Sequence, residues 1–235
     1  IDGSNLGSAL AGSIAATRIS ASATNGFSII KYTGTGSAAT IAHGLSEAPD
    51  LWIVKNMDTT DNWMVGTTTA SAPATGALEL NSDGAYGADS TVWNDANPTA
   101  SVINLGTYTS PSSEALICYA FHSVEGYSKI GTYIGNDNED GTFIYTGFKP
   151  AFVIIKSLQA NAWRMTDNVR DPFNFVYHRL FPNAASAEHA GLTEHETDHV
   201  SNGFKPRDTD AVINDTDTYL YIAFAESPFK YSNAR

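Results

Sequence analysis

The sequence predicts an all-β protein made of two tandem sandwich-like β repeats with short loops and little helix. Three observations lead there. The apolar residues fall in short runs of Val, Ile, Tyr and Phe, bounded by Gly, Asn, Asp and Pro. Charged residues make up only 16 % of the chain, where helical proteins lean on Glu, Lys, Leu and Arg. Segments also recur in the same order at nearly constant spacing. Tyr32-Thr33-Gly34 returns as Tyr133-Ile134-Gly135, and the Pro49–Lys55 segment as Pro150–Lys156, both at an offset of 101. Trp63 returns as Trp163 at 100, and Tyr119-Ala120-Phe121 as Ile222-Ala223-Phe224 at 103.

Residues 1–26 form an Ala/Gly/Ser-rich lead-in or linker, since those three residue types fill fifteen of its positions. Leu6, Leu10, Ile14 and Ile19 are spaced regularly enough to pack against something. Repeat one spans 27–126. Its expected strands are 27–33, 50–56, 62–66, 99–105 and 115–122. Repeat two spans 127–235, including a C-terminal tail, with strands at 127–134, 141–146, 150–156, 161–166, 199–205 and 217–225. In the last, Leu220, Ile222 and Phe224 face one way and Tyr219, Tyr221 and Ala223 the other. Clusters such as Gly135-Asn136-Asp137-Asn138 and Asn94-Asp95-Ala96-Asn97-Pro98 mark the turns. Residues 184–190 admit one or two helical turns. The chain opens on Ile1, which reads as a piece of a longer polypeptide.

A formal charge of −12 disfavours binding to nucleic acid or to anionic membrane surfaces. Repeat one carries two basic and ten acidic residues, and repeat two ten basic and fourteen acidic. Cys118, the one cysteine, lies in an apolar run and reads as a small core residue, so no intrachain disulfide is expected. No stretch has the length of a bilayer span, and no signal-peptide pattern is visible.

Several segments carry a family likeness: Gly26-Phe27-Ser28-Ile29-Ile30-Lys31-Tyr32-Thr33-Gly34, His43-Gly44-Leu45 with the Ala48–Asn56 run, Val124-Glu125-Gly126-Tyr127-Ser128-Lys129, Tyr145-Thr146-Gly147-Phe148-Lys149-Pro150 and Ser201-Asn202-Gly203-Phe204-Lys205. On these the chain resembles an uncharacterised repeat domain common in tail-fibre and structural proteins of marine bacteriophages. The segment from Ala223 to Arg235 resembles the way such proteins finish. The resemblance implies a virion location and no catalytic residues. It also implies homotrimeric assembly with other copies of the chain, and contact with other virion proteins.

Within that frame a few motifs invite chemistry. Trp93-Asn94-Asp95 has no repeat counterpart, and a surface aromatic beside amide and carboxylate groups is a way to grip sugars. A packing anchor is the commoner use of a Trp. Tyr86 and Tyr108 are lesser candidates of the same kind. Asn136, Asn138 and Asp140 offer oxygen ligands at alternate positions before Gly141, like the first half of a calcium loop, although the terminal Glu is missing and a plain Asn/Asp turn explains them as well. The same holds for Asp208, Asp210, Asp215 and Asp217. His195-Glu196-Thr197-Asp198-His199 fits the spacing of a zinc-peptidase helix, but Thr197, Asp198 and the following Asn202-Gly203 point to a loop entering a strand. The pair Asp167 and Arg170 reads as a surface ion pair.

The expectation is therefore a non-enzymatic bacteriophage virion protein without cofactors, the C-terminal part of a tail fibre or host-contacting adhesin that meets a host-surface glycan or protein. A capsid-decoration or shaft-forming protein without receptor contact is one alternative. A glycan-depolymerising or zinc-dependent hydrolase is another.

Overall fold

A computed structural model describes residues 12–70, 75–189 and 196–228. Among them are sixteen strands and one four-residue helix, so the fold is all-β and sandwich-like. Two compact units are formed, one from residues up to Leu80 and from Tyr86–Ser123, the other from Asn81–Ala85 and from Val124 onward.

The first unit contains β1 (Arg18–Ser22), β2 (Phe27–Thr33), β3 (Ala39–Ala42), β4 (Leu51–Asn56), β5 (Met64–Thr67), β6 (Gly76–Glu79), β7 (Gly87–Ala88), α1 (Ser90–Trp93), β8 (Val102–Leu105) and β9 (Ala115–Phe121). Seven strands pair in the order β1-β2-β9-β4-β5-β6-β7, and β3 pairs with β8. Strand β9 lies inside the sheet because its alternation serves a buried face: Leu116, Cys118 and Ala120 point inward between half-buried neighbours. Ile30 and Tyr32 from β2 and Val54 from β4 join them, and Ile41, Ile103, Leu105, Val92 and Trp93 close the core from the other layer. Burial pushes the Cys118 thiol far up, so it is an inert core residue.

The second unit contains β10 (Ser128–Ile134), β11 (Ile144–Tyr145), β12 (Pro150–Ser157), β13 (Arg164–Asp167), β14 (Thr197–Val200), β15 (Gly203–Pro206) and β16 (Thr218–Ala225). One sheet runs β10-β16-β12-β13 and the other β11-β15-β14. Its core is aromatic. Tyr133 stacks on Tyr219 at 5.0 Å and meets Phe204 edge-on at 6.1 Å.

Six strands of each unit correspond. The order β2-β9-β4-β5 matches β10-β16-β12-β13, and β3-β8 matches β11-β15. Individual hydrogen bonds correspond as well. The Tyr32 hydroxyl donates to the Thr109 carbonyl at 2.7 Å, and the Tyr133 hydroxyl to that of Ile213 at 2.6 Å. The Gly34 amide donates to the Glu114 carbonyl at 2.9 Å, and the Gly135 amide to that of Asp217 at 3.0 Å. A Cβ on Gly34 would stand 1.9 Å from the Pro111 carbonyl oxygen, and one on Gly135 1.8 Å from that of Asp215. Both glycines exist because a neighbouring backbone occupies the place of a side chain.

The interiors differ in polarity. Lys156, Arg164 and Arg179 are all buried in the second unit. Burial lowers the Lys156 ammonium to about 8, and it donates to the Ser157 and Gln159 carbonyls at 2.7 and 2.8 Å. Burial likewise lowers Arg164 to about 9, partly opposed by Tyr133.

Several details depart from the sequence reading. The span 199–205 is two strands joined at Ser201-Asn202, since Asn-Gly turns the chain back on itself. The span 141–146 keeps only Ile144–Tyr145. Part of the lead-in is strand β1, and Ile14 bridges to Ile41. Strands β3, β6 and β7 and helix α1 were not expected. Residues 184–189 form no helix, and Ala190 lies outside the described residues. Among the described residues no helix is long and apolar enough to cross a membrane.

Candidate functional site

Helix α1 begins where the Asp89 carboxylate accepts from the Thr91 amide at 2.9 Å, and it ends with Asn94 in the left-handed region at φ 55. This one turn swings Trp93 inward. The ring is wholly buried and meets Trp52 edge-on at 5.2 Å. Trp93 therefore offers no face to a sugar, which corrects the stacking expectation. Asn94 and Asp95 are exposed, but without the aromatic. Trp63 is half-buried and stacks on Tyr119, while Trp163 is fully buried.

The oxygens expected to hold calcium are committed to protein partners. Asn136 Oδ1 accepts from the Asn214 amide at 3.0 Å, and Asn138 Oδ1 from the Asp140 backbone at 2.8 Å. Asp140 faces two cations, Lys205 Nζ at 2.6 Å and the Arg207 guanidinium at 2.8 Å. Those bonds hold its carboxyl below the usual range. Positive side chains thus stand where a cation would bind, so the calcium reading of Asn136, Asn138 and Asp140 is replaced by an Asn-locked turn. Asp208, Asp210 and Asp215 likewise accept from nearby backbone amides.

His195 lies outside the described residues. His199 sits on β14, an extended segment, so the pair lacks the helical face that a zinc peptidase requires. Among the described residues no group of three or more His, Cys, Asp or Glu is arranged to hold a metal.

The most elaborated surface is the connection after β13 in the second unit. Its Phe173 is 83 % exposed and Val169 86 %, with Phe175 at 46 %. Two anchors hold this segment. The buried Asp171 carboxylate accepts from the Tyr177 and His178 amides, both at 2.7 Å, and pairs with His178 Nδ1 at 2.6 Å. Asn174 bonds both ways to the His199 backbone, accepting at 3.0 Å and donating at 3.2 Å. Arg170 adds ion pairs to Asp167 and to Glu188. The Phe173 ridge divides a cavity of about 180 Å³, walled in part by His199, from a groove of about 410 Å³ lined by Arg170, Phe175, Tyr177 and His178.

Beyond Phe175 opens a cleft of about 720 Å³ with Glu139, Asp140, Glu196, Asp208 and Arg207 on its walls. Partial burial, with Asp208 and Asp198 nearby, raises the Glu196 carboxyl. Within 167–175 sequence reasoning saw only the Asp167 and Arg170 ion pair. The available signal was Pro172-Phe173-Asn174-Phe175, two aromatics bracketing an amide after a proline, with no counterpart in repeat one.

A family model, described as a domain of unknown function (DUF7483), matches residues 3–228. No curated protein and no solved structure matches the chain.

Proposed function

The chain belongs to the DUF7483 family, and from that premise we propose that it is a non-enzymatic β module of a bacteriophage virion, the C-terminal part of a tail fibre that contacts the host surface. One observation carries the reading. The frame of the two units is the same down to single hydrogen bonds, as if one unit had been copied, while the connections differ. The first unit spends its additions on β1, β6, β7 and α1, which lengthen or cover its sheet. The second spends them on an anchored loop that holds phenylalanines in solvent. Rigid scaffolds with one elaborated loop suit recognition. The sequence resemblance supplies the phage context. Several copies on one fibre would add avidity to individually weak contacts.

The test is adherence. Labelled chain is expected to bind some members of a panel of marine bacterial strains and to leave their surface glycans at full length. Binding to none would leave a shaft or capsid-decoration role. Shortened glycans would favour the depolymerase reading, for which the raised Glu196 beside Asp208 is the specific support. In that case Glu196→Gln would abolish the shortening.

A further inference from the structure

We propose that the groove lined by Phe173, Phe175, Tyr177 and His178 binds a neutral sugar ring, which rests on the adhesion reading and specifies its ligand class. The buried Asp171 carboxylate builds the polar part of this groove. One of its oxygens accepts from the Tyr177 and His178 amides, both at 2.7 Å, and the other pairs with His178 Nδ1 at 2.6 Å. A carboxylate that only accepts needs the proton on Nδ1, so the neutral His178 ring keeps its lone pair on Nε2. The Tyr177 and His178 rings also lean on each other, with centres 4.3 Å apart. One buried anion thus fixes both backbones and one ring, which preorganises the pair for binding. Their outer polar atoms remain open. Among the described residues neither His178 Nε2 nor the Tyr177 hydroxyl has a hydrogen-bond partner, and neither is sealed from solvent. The groove therefore offers a fixed acceptor beside a hydroxyl that can give or accept.

The rest of the groove is apolar. Phe173 is largely exposed and Phe175 about half so. Asn174 between them is tied to the His199 backbone by two hydrogen bonds, so the segment cannot fold its rings away. A pyranose matches both parts. Its C–H face can lie on a phenylalanine ring, while its hydroxyls donate to Nε2 and bond the Tyr177 hydroxyl. A purely apolar occupant would expel water from those two atoms and leave them without partners, which opposes binding. Charge argues against an ionic ligand. Arg170 on the groove wall is paired with Asp167 and Glu188, and both Asp171 oxygens are occupied by Tyr177 and His178. The volume of about 410 Å³ lies within the range of small-ligand sites, roughly 300–1,000 Å³.

The test uses the full chain with methyl glycosides of glucose, galactose, mannose and N-acetylglucosamine as probes, and N-acetylphenylalanine amide as the apolar control. Saturation-transfer NMR is expected to show transfer to the ring protons of at least one glycoside. That glycoside should shift His178 Nε2 in a nitrogen-15 spectrum more than Nδ1, which Asp171 already holds. Phe173→Ala, at an exposed position where folding is not at stake, should weaken binding roughly ten-fold. Tyr177→Phe removes a hydroxyl that the fold does not use and should weaken binding by about two- to ten-fold. No transfer to any glycoside, transfer to the control alone, or glycoside binding unchanged in both variants overturns the site. The two readings fail separately. Strain adherence without glycoside binding sinks the sugar site and keeps the adhesin, whereas glycoside binding that depends on Phe173 and Tyr177, without adherence, does the reverse.

Discussion

Gly34 and Gly135 are the sharpest single-residue probes of the frame. Each stands where a Cβ would fall under 2 Å from a carbonyl oxygen of the facing backbone, Pro111 in one unit and Asp215 in the other. Backbone cannot swing aside as a flexible side chain can. Gly34→Ala and Gly135→Ala should each cost about 1–3 kcal/mol, the usual penalty for overpacking, and by similar amounts in urea denaturation. His199 makes a different prediction. Its ordinary value of 6.5 falls to about 4 in the fold, chiefly through burial, with Arg164 and Lys149 adding to the drop and Pro150 and Asp167 opposing it. Between those two values the unfolded chain holds a proton that the folded chain refuses. Stability must therefore fall as pH drops from 6.5 toward 4, by up to about 3 kcal/mol from this residue. Denaturation curves across that window should flatten in His199→Gln; an unchanged slope would mean that the ring is not held neutral.

At the scale of elements, the connection after β13 depends on Asp171 more than on its own length. Two amides and an imidazole converge on one buried carboxylate. Asp171→Ala leaves those amides without their acceptor, which should cost about 1–3 kcal/mol. The first readout should be faster proteolysis beside Phe173 and Phe175, before any loss of the sheets. This scale also shows what the chain discloses in its sequence and what it hides. Strands β2, β4, β9, β12 and β16 were legible because alternating or continuous Val, Ile and aromatic residues serve buried faces. Strands β1, β3, β6 and β7 were not, because Ala, Ser, Thr and Gly dominate them and none holds more than one large apolar residue, which leaves little periodic signal. Trp93 was visible as a residue, but not the Asp89 cap that turns it inward. The oxygens of the 136–140 loop were visible, but Lys205 and Arg207 arrive from 65 and 67 positions away. Contacts at that range follow from strand pairing, which local spacing does not encode.

For the whole molecule, charge decides how it meets a surface. On the adhesion reading proposed above, a chain carrying −12 would approach an anionic bacterial envelope against long-range repulsion. Whatever holds the two together must act at short range. The contact available in the second unit is of that kind: an exposed aromatic ridge of Phe173 and Phe175, with the nearby cations already paired. Salt screens repulsion beyond roughly 10 Å at 0.1 M while leaving stacking and neutral hydrogen bonds almost untouched. Adherence measured from low to moderate ionic strength should therefore hold steady or rise, with the gain in the rate of association. The acidic cleft around Glu196 predicts the opposite if it is the contact, because a basic partner drawn to its carboxylates would be released as salt is added. Titrating salt against adherence thus separates a ligand recognised by shape and hydroxyls from one recognised by charge, and a steep fall would move the contact from the Phe173 ridge to the cleft.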